Sequence, residues 1–485
     1  MNIINYKLIS FLNLLSKEDL TEFKKFISSP IYSSGRNYIP LLEEIMKFKK
    51  DQTDQISADE LYEKVYPGKK FSGQTLKNRF SELLKLGEEF IIFKDVQKDQ
   101  IERDKILLKA YLDNKMFRFY ESKYKKAYCY LDSQLTDDKK FSDIYALNQK
   151  NLQYLTLTEK IDRFYSNLYE HSIYSTSISL ISLFDYGIEY KQQEYLGRKY
   201  EFNMVLNILK KIDIDDILGN YGGKDLEILK VVNLYYNLYK AYEDLTKDNY
   251  YFEARKIFKK LSENFSDEYK LKFYMIFIYY CTRRQNLGDK KFHLELFKLY
   301  NEKLDLGFTS DFTEMIYPVN NFRDYVFIGI ELGKKDWVRN FLKKYSYLLP
   351  KKVREHETNL AYSKLEFDLG NFEKAIEFVL KVKPNNYMHY LDSSSLKLLN
   401  YYELDRIEEA YFEIDKLKHY ISNHNEIPKI HKTYSKNFIK IYNKLLKLKT
   451  EPKKKDIIIL EGELKNIHFI SKKEWLQIKI SELIK

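Results

Sequence analysis

Leu369-Gly370-Asn371-Phe372-Glu373-Lys374-Ala375 is matched by Leu404-Asp405-Arg406-Ile407-Glu408-Glu409-Ala410, with the two alanines 35 residues apart. Further upstream, Trp337 and Asn340 stand 35 residues before Phe372 and Ala375, although Leu332-Gly333 sits two residues too early for that register and Asn340 replaces the alanine. Pro318, Pro350 and Pro384 mark the same stretch at intervals of 32 and 34 residues. A period of this length reads as a stack of helix pairs, each unable to bury its apolar face alone. Gly370 suits a tight turn between two helices, and Ala375 is small enough to let the second approach the first. Only 8 prolines occur in the 485 residues, and none falls between Pro67 and Pro318. Because proline costs roughly 3 kcal/mol inside a helix, that interval permits long uninterrupted helices. The expected fold class is all-α.

The Leu-Gly-Asn-Phe-Glu-Lys-Ala segment at 369–375 resembles the turn and second-helix start of a tetratricopeptide repeat. The likeness is divergent. Asn359 and Tyr362-Ser363 stand where that family carries a large aromatic and a Leu-Gly pair, and Pro384 arrives early. Tyr251-Phe252-Glu253-Ala254 and Asn286-Leu287-Gly288-Asp289 give a weaker echo. The resemblance implies a tetratricopeptide-like superhelix whose concave face holds a peptide or protein segment, and it implies no catalysis. Phe-Ile-Ser-Ser-Pro at 26–30 and Lys-Glu-Trp-Leu at 473–476 resemble elements of uncharacterised bacterial helical proteins, a likeness that carries no activity.

Four regions follow: 1–95, a small helical, winged-helix-like region; 96–310, an array of long helices; 311–420, the repeats; and 421–485, a basic helical cap. In the first, Ser16 starts a helix with Glu18 and Asp19 in its first turn and Leu20, Phe23 and Ile27 on one face, stopped by Ser28-Ser29-Pro30. A second helix follows Pro40, turning Leu41, Leu42, Ile45 and Phe48 inward, and 49–55 reads as a loop. Ser57 and Glu60 form a capping box leading a short helix that ends at Tyr66-Pro67-Gly68. After a turn, a longer helix from about Gln74 buries Leu76, Phe80, Leu83 and Leu84 and exposes Gln74, Lys77, Asn78, Ser81 and Lys85. Short helix, turn and polar-faced helix resemble a helix-turn-helix, with Phe90-Ile91-Ile92-Phe93 as a wing strand.

The net charge is +11, and most of it lies at one end: from Asp415 to Lys485 there are 17 lysines, no arginine and 8 carboxylates, a net +9. Lys436, Lys440, Lys444 and Lys447 recur at helical spacing opposite Phe438, Tyr442 and Leu445, a basic amphipathic helix. Such a face attracts phosphates or an acidic partner, and equally serves as the solvated side of a last solenoid helix. The candidate contacts for nucleic acid or an acidic partner are Lys69, Lys70, Lys77, Arg79, Lys436, Lys440, Lys444 and Lys447. The 44 tyrosines include the cluster Tyr235, Tyr236, Tyr239 and Tyr242, which offers aromatic surface for stacking on bases or peptides but reads first as helix packing.

No reaction is legible. The eight histidines, with His419, His424 and His431 nearest in sequence, form no metal pattern, so no metal ligand, catalytic residue or cofactor site is assigned. Cys129 reads as a buried, inert thiol on an aromatic helix face. Asp213-Ile214-Asp215-Asp216 lacks the carboxylate a calcium loop needs at Lys224, and Gly222-Gly223-Lys224-Asp225 lacks the first glycine and the hydroxyl of a phosphate loop. Cys129 and Cys281 show no disulfide spacing, and residues 1–7 lack a signal-peptide pattern, which points to the cytoplasm. The apolar run 273–281 is too short to cross a membrane and reads as a buried helix. The expected function is a non-enzymatic scaffold or adaptor binding a protein or peptide; the alternative is a regulator bound to DNA or RNA through basic N-terminal and C-terminal helices, with no membrane partner in either case.

Overall fold

Ser16 accepts a hydrogen bond from the Asp19 amide at 3.0 Å while the Asp19 carboxylate accepts from the Ser16 amide at 3.2 Å, so two orphan donors at the start of Lys17–Ser28 are satisfied reciprocally. Ser57 and Glu60 repeat the device at Ala58–Val65, and Ser72 caps the long helix Gly73–Lys98. Local chemistry of this kind sets helix starts along the chain, with Asp99, Asp137, Asn203 and Asn386 capping in the same way. The computed structural model describes residues 7–33, 35–50, 57–195, 197, 198, 200–214, 216, 217, 226–309 and 318–484. The chain is all-helical over these residues, without a β-strand, and separates into two compact units, Met1–Ser266 and Asp267–Lys485. Among the described residues no helix is long and apolar enough to cross a membrane.

In the first unit, Phe23 and Phe26 pack on Phe90, with ring centroids 5.3 and 5.6 Å apart. Phe90 to Phe93 are therefore not a wing. They lie inside Gly73–Lys98, where Phe90 extends the buried stripe of Leu76, Phe80 and Leu83 while Ile91, Ile92 and Phe93 are exposed. A four-residue apolar run suits a strand or a helix equally, and Gly87, three residues before it, does not break the helix but gives the Phe11 ring room against the backbone. That helix also carries the chain past residue 95 without interruption. Leu84 is only half-buried, and Gln74, Lys77, Asn78, Ser81 and Lys85 are exposed as expected.

Cys129 is exposed, against the sequence expectation. The inward stripe of Phe117–Asp132 is Tyr120, Ala127 and Leu131, and Cys129 lies two positions from either of the last two, about 200° around the helix. The tyrosine cluster packs as expected: Tyr235, Tyr236, Tyr239 and Tyr242 are all buried in Glu227–Glu243, a helix that packs on the 35-residue helix Ile161–Tyr195 and on Asp248–Leu261. Lys49 and Lys50, expected in a loop, continue the helix Ile39–Lys50, whereas the Phe48 side chain, the loop residues 51–55 and residues 218–225 of the excluded calcium and phosphate loops lie outside the described residues.

The second unit starts with Asp267–Asn286, in which Phe273, Phe277, Tyr280 and Cys281 are buried as the apolar run predicts. From Pro318 the helices pack in order: Pro318–Glu331 with Lys335–Tyr345, Lys351–Asp368 with Phe372–Leu380, and Tyr387–Glu403 with Ile407–Asn423. Lys429–Thr450, Lys454–Asn466 and Lys473–Ile484 close the unit. The turn within each of those three pairs has one geometry. Gly333, Gly370 and Asp405 take φ of +67°, +78° and +56°, a left-handed conformation that glycine adopts without strain. Their amides bond back to Ile330, Phe367 and Tyr402, while the following amides reach Gly329, Glu366 and Tyr401. Ala375 is fully buried, and its carbonyl accepts from the Ser363 hydroxyl at 2.7 Å, a close approach between the two helices of that pair.

Candidate binding cleft in the second unit

The first helices of the three pairs, Pro318–Glu331, Lys351–Asp368 and Tyr387–Glu403, place residues 34 and 35 apart side by side. They build a cleft of about 290 Å³ in layers. Arg323, Glu357 and Asp392 form a polar layer; Phe327, Ala361 and Leu396 form an apolar one; Ile330, Lys364 and Leu399 form the next. Phe367 adds to the wall, and Lys472 and Trp475, at the start of the last helix, complete it.

The polar layer is internally satisfied. Arg323 donates from Nε and Nη2 to the two Glu357 oxygens at 2.8 and 3.0 Å, and from Nη1 to Asp392 at 3.2 Å. A two-pronged pair of this kind is the geometry in which a buried guanidinium and carboxylate are best tolerated. Burial pushes the Glu357 carboxyl above its usual range, and Arg323 works against that push. His389, fully buried, sits with Nδ1 3.6 Å from Glu357 and 3.3 Å from the Asn385 oxygen, while its Nε2 has no hydrogen-bond partner. Burial, with Arg323 and His356 adding repulsion, lowers its pKa to about 4, so the ring is neutral near pH 7.

Lys364 is different. Its register neighbours are Ile330 and Leu399, and its ammonium lies over the Phe327 ring, 3.3 Å from the centroid. Among the described residues no carboxylate comes within 4.0 Å of either Lys364 or Lys472. Burial, with repulsion from Lys472 added, lowers the Lys364 pKa to about 7, and the carboxylates of Glu331, Asp392 and Asp368 work against that shift. The indole of Trp475 is held by an Nε1 bond to Glu403 at 2.8 Å and stacks edge-on with Tyr402.

None of the eight basic candidates lies in this cleft. Lys69 and Lys70 are exposed on the turn before Gly73–Lys98, and Lys77 is exposed on that helix. Arg79, two positions on, is bonded to Glu82 at 2.8 Å, in a cluster with Arg36 and Tyr38. The C-terminal stripe does form one face of Lys429–Thr450, opposite the buried Phe438, Tyr442 and Leu445. Lys436, Lys440 and Lys447 are exposed on it, whereas Lys444 is bonded to Glu463 of the next helix at 2.6 and 2.8 Å. Among the described residues no group of His, Cys, Asp or Glu side chains is arranged to hold a metal ion.

Sequence reading missed Arg323, Glu357, Lys364 and Asp392, although the signal was present. The 35-residue offset between Ala375 and Ala410, carried back to the first helices, aligns Glu357 with Asp392 and Lys364 with Leu399, while Arg323 and Ile330 join those layers at 34. No family model, curated protein or solved structure matches this chain.

Proposed function

We propose that the second unit is a divergent tetratricopeptide-like array and that the protein is a non-enzymatic scaffold or adaptor, seating a protein or peptide segment in the cleft of the Asp267–Lys485 unit. The observation that carries this reading is the register itself: three successive first helices contribute the same positions to one lining, the arrangement by which stacked repeats make a binding face. The lining combines aromatic walls at Phe327, Phe367 and Trp475 with fixed charge below, and buried aromatics are the common anchors of protein recognition. The test is a pull-down from the native lysate with the full chain and with Ala361→Trp, which fills the middle layer, each with and without nuclease. A partner that survives nuclease and is lost with Ala361→Trp supports the scaffold. Loss of every partner on nuclease treatment, with nucleic acid recovered, overturns it.

The second reading, a regulator associated with DNA or RNA, draws on the exposed Lys436, Lys440 and Lys447 on one helix face. Lysine without arginine is a weak reader of bases, so this face suits phosphate contact rather than sequence recognition.

A further inference from the structure

Resting on the scaffold reading, we infer that the Lys364 end of the cleft is a subsite for a single carboxylate of the partner segment, placed directly beside a large apolar side chain, and that the cleft rejects acidic runs.

The register sets out the case. The three first helices put Arg323, Glu357 and Asp392 in one layer, so the cation there has its counter-ions built in. Two turns further along the same helices, the layer reads Ile330, Lys364, Leu399: a lysine where both flanking copies carry an aliphatic residue. A methionine or leucine would complete that layer more cheaply, because a cation held against aliphatic and aromatic side chains is disfavoured unless it loses its proton or gains a close anion. Lys472 faces the same space, also without a carboxylate in ion-pair range among the described residues, and the two ammonium groups repel each other. An anion between them removes both penalties at once. Glu331, Asp368 and Asp392 act on Lys364 only from beyond ion-pair distance, so the close counter-ion is left to the occupant.

The rest of the lining limits what that occupant is. Phe327, Phe367 and Trp475 offer aromatic surface next to the ammonium, so the acidic group needs an apolar neighbour to cover them. The volume, about 290 Å³, is at the small end for a ligand site and admits one or two side chains. Glu331, Asp368 and Glu474 also line the cleft, and Glu331 and Asp368 are 50% and 39% exposed there. Further acidic groups on the occupant meet these carboxylates and are repelled.

The experiment is a selection of random seven-residue peptides displayed on phage, run against the full chain, Lys364→Met and Lys472→Met. Methionine matches the aliphatic flanks of the layer, and circular dichroism with tryptophan emission checks that each variant is folded. The expected result is enrichment on the natural chain of peptides with one Asp or Glu beside a large apolar residue. On Lys364→Met the acidic preference disappears while the apolar one remains. In a synthetic copy of the best peptide, changing the acid to its amide weakens binding by about tenfold on the natural chain and by less than about twofold on Lys364→Met. Enrichment of apolar peptides with no acidic preference, or an acidic preference that Lys364→Met leaves unchanged, overturns the subsite and leaves the scaffold standing. Enrichment of acidic runs overturns the role given to the rim. If nothing is enriched, both the subsite and the peptide-seating reading fall together.

Discussion

Arg323 and Glu357 stand 34 residues apart and are joined by two parallel hydrogen bonds, so the spacing of the repeat is also the spacing of a buried ion pair. Asp392, 69 residues from Arg323, occupies the same position one helix pair later and takes the third guanidinium nitrogen. The layer therefore fixes the register of three helices that are separated in sequence, much as a buried polar residue fixes register in a coiled coil.

Removing one partner of that pair strands the other. Glu357→Gln is expected to destabilise the second unit by about 3 kcal/mol or more, since Arg323 stays buried with only half-exposed Asp392 beside it. Arg323→Met with Glu357→Met together is expected to recover most of the loss, because no charge is left uncompensated. Both tryptophans of the chain, Trp337 and Trp475, belong to this unit, so their emission during denaturant unfolding follows it alone. Equal midpoints for the single and double variants would show that the pair contributes nothing of this kind.

His389 makes the same unit acid-sensitive. Its folded pKa is lowered to about 4 from 6.5, so below pH 6.5 the unfolded chain takes up a proton that the folded chain refuses. Stability from this group is complete above pH 6.5 and is lost as the pH falls to 4, up to about 3 kcal/mol at the end of that window. The groups facing the ring are Glu357, Arg323, His356 and Asn385, and burial first, then Arg323 and His356, sets the downward direction of the shift. His389→Phe is expected to unfold with a smaller change in denaturant midpoint between pH 7 and pH 4.5 than the natural chain.

Glycine positions separate close packing from open surface. A Cβ on Gly329 would stand 2.5 Å from Val338 Cγ2, so Gly329→Ala is expected to lose about 1 to 3 kcal/mol, with Val338→Ala restoring part of it. Gly462, inside Lys454–Asn466, has nothing within 4 Å of an added Cβ. Gly462→Ala is expected to gain about 0.5 to 1 kcal/mol by restricting the unfolded chain. Thermal or denaturant midpoints followed by tryptophan emission read both changes.

The Val338 contact also explains a mismatch in the sequence. Leu332-Gly333 falls two residues early when Trp337 is aligned with Phe372, but Gly333 and Val338 each precede Gly370 and Ala375 by 37 residues. The first helices keep a spacing of 34, so the earliest pair has lost three residues, close to one helical turn, between Ile330 and Gly333. Val338, not Asn340, packs where Ala375 packs in the next pair, and Gly329 gives it room. Helix identity, the caps at Ser16 and Ser57 and the glycine turn were legible because each depends on neighbouring residues. The cleft was not, because its layers join positions 34 and 35 apart whose residue types differ from copy to copy. Phe90 misled for a related reason: four apolar residues in a row carry no period, and only packing against Phe23 and Phe26 decides which one faces inward. Cys129 faces solvent because its angle from Ala127 and Leu131, and not the aromatic composition around it, decides its side of the helix.

The basic stripe separates the scaffold from the nucleic-acid reading by its response to salt. Among the described residues Lys436, Lys440 and Lys447 have no ion pair within 3.5 Å, whereas Glu463 holds Lys444 and stands 4.0 Å from Lys440. If the stripe holds a phosphate backbone, each lysine that meets a phosphate contributes about 0.9 to the slope of log affinity against log salt on duplex DNA. Reversing three charges by Lys436→Glu, Lys440→Glu and Lys447→Glu would then flatten that slope by about three. Under the scaffold reading the stripe is the solvated side of Lys429–Thr450, whose other face is buried through Phe438, Tyr442 and Leu445. The triple variant is then expected to keep its protein partner and its unfolding midpoint within about 0.5 kcal/mol of the natural chain, as surface changes do. Titration of labelled duplex and single-stranded DNA and RNA at 50 and 200 mM salt checks it: a steep slope that the triple variant flattens would overturn the scaffold reading in favour of nucleic-acid binding on this helix face.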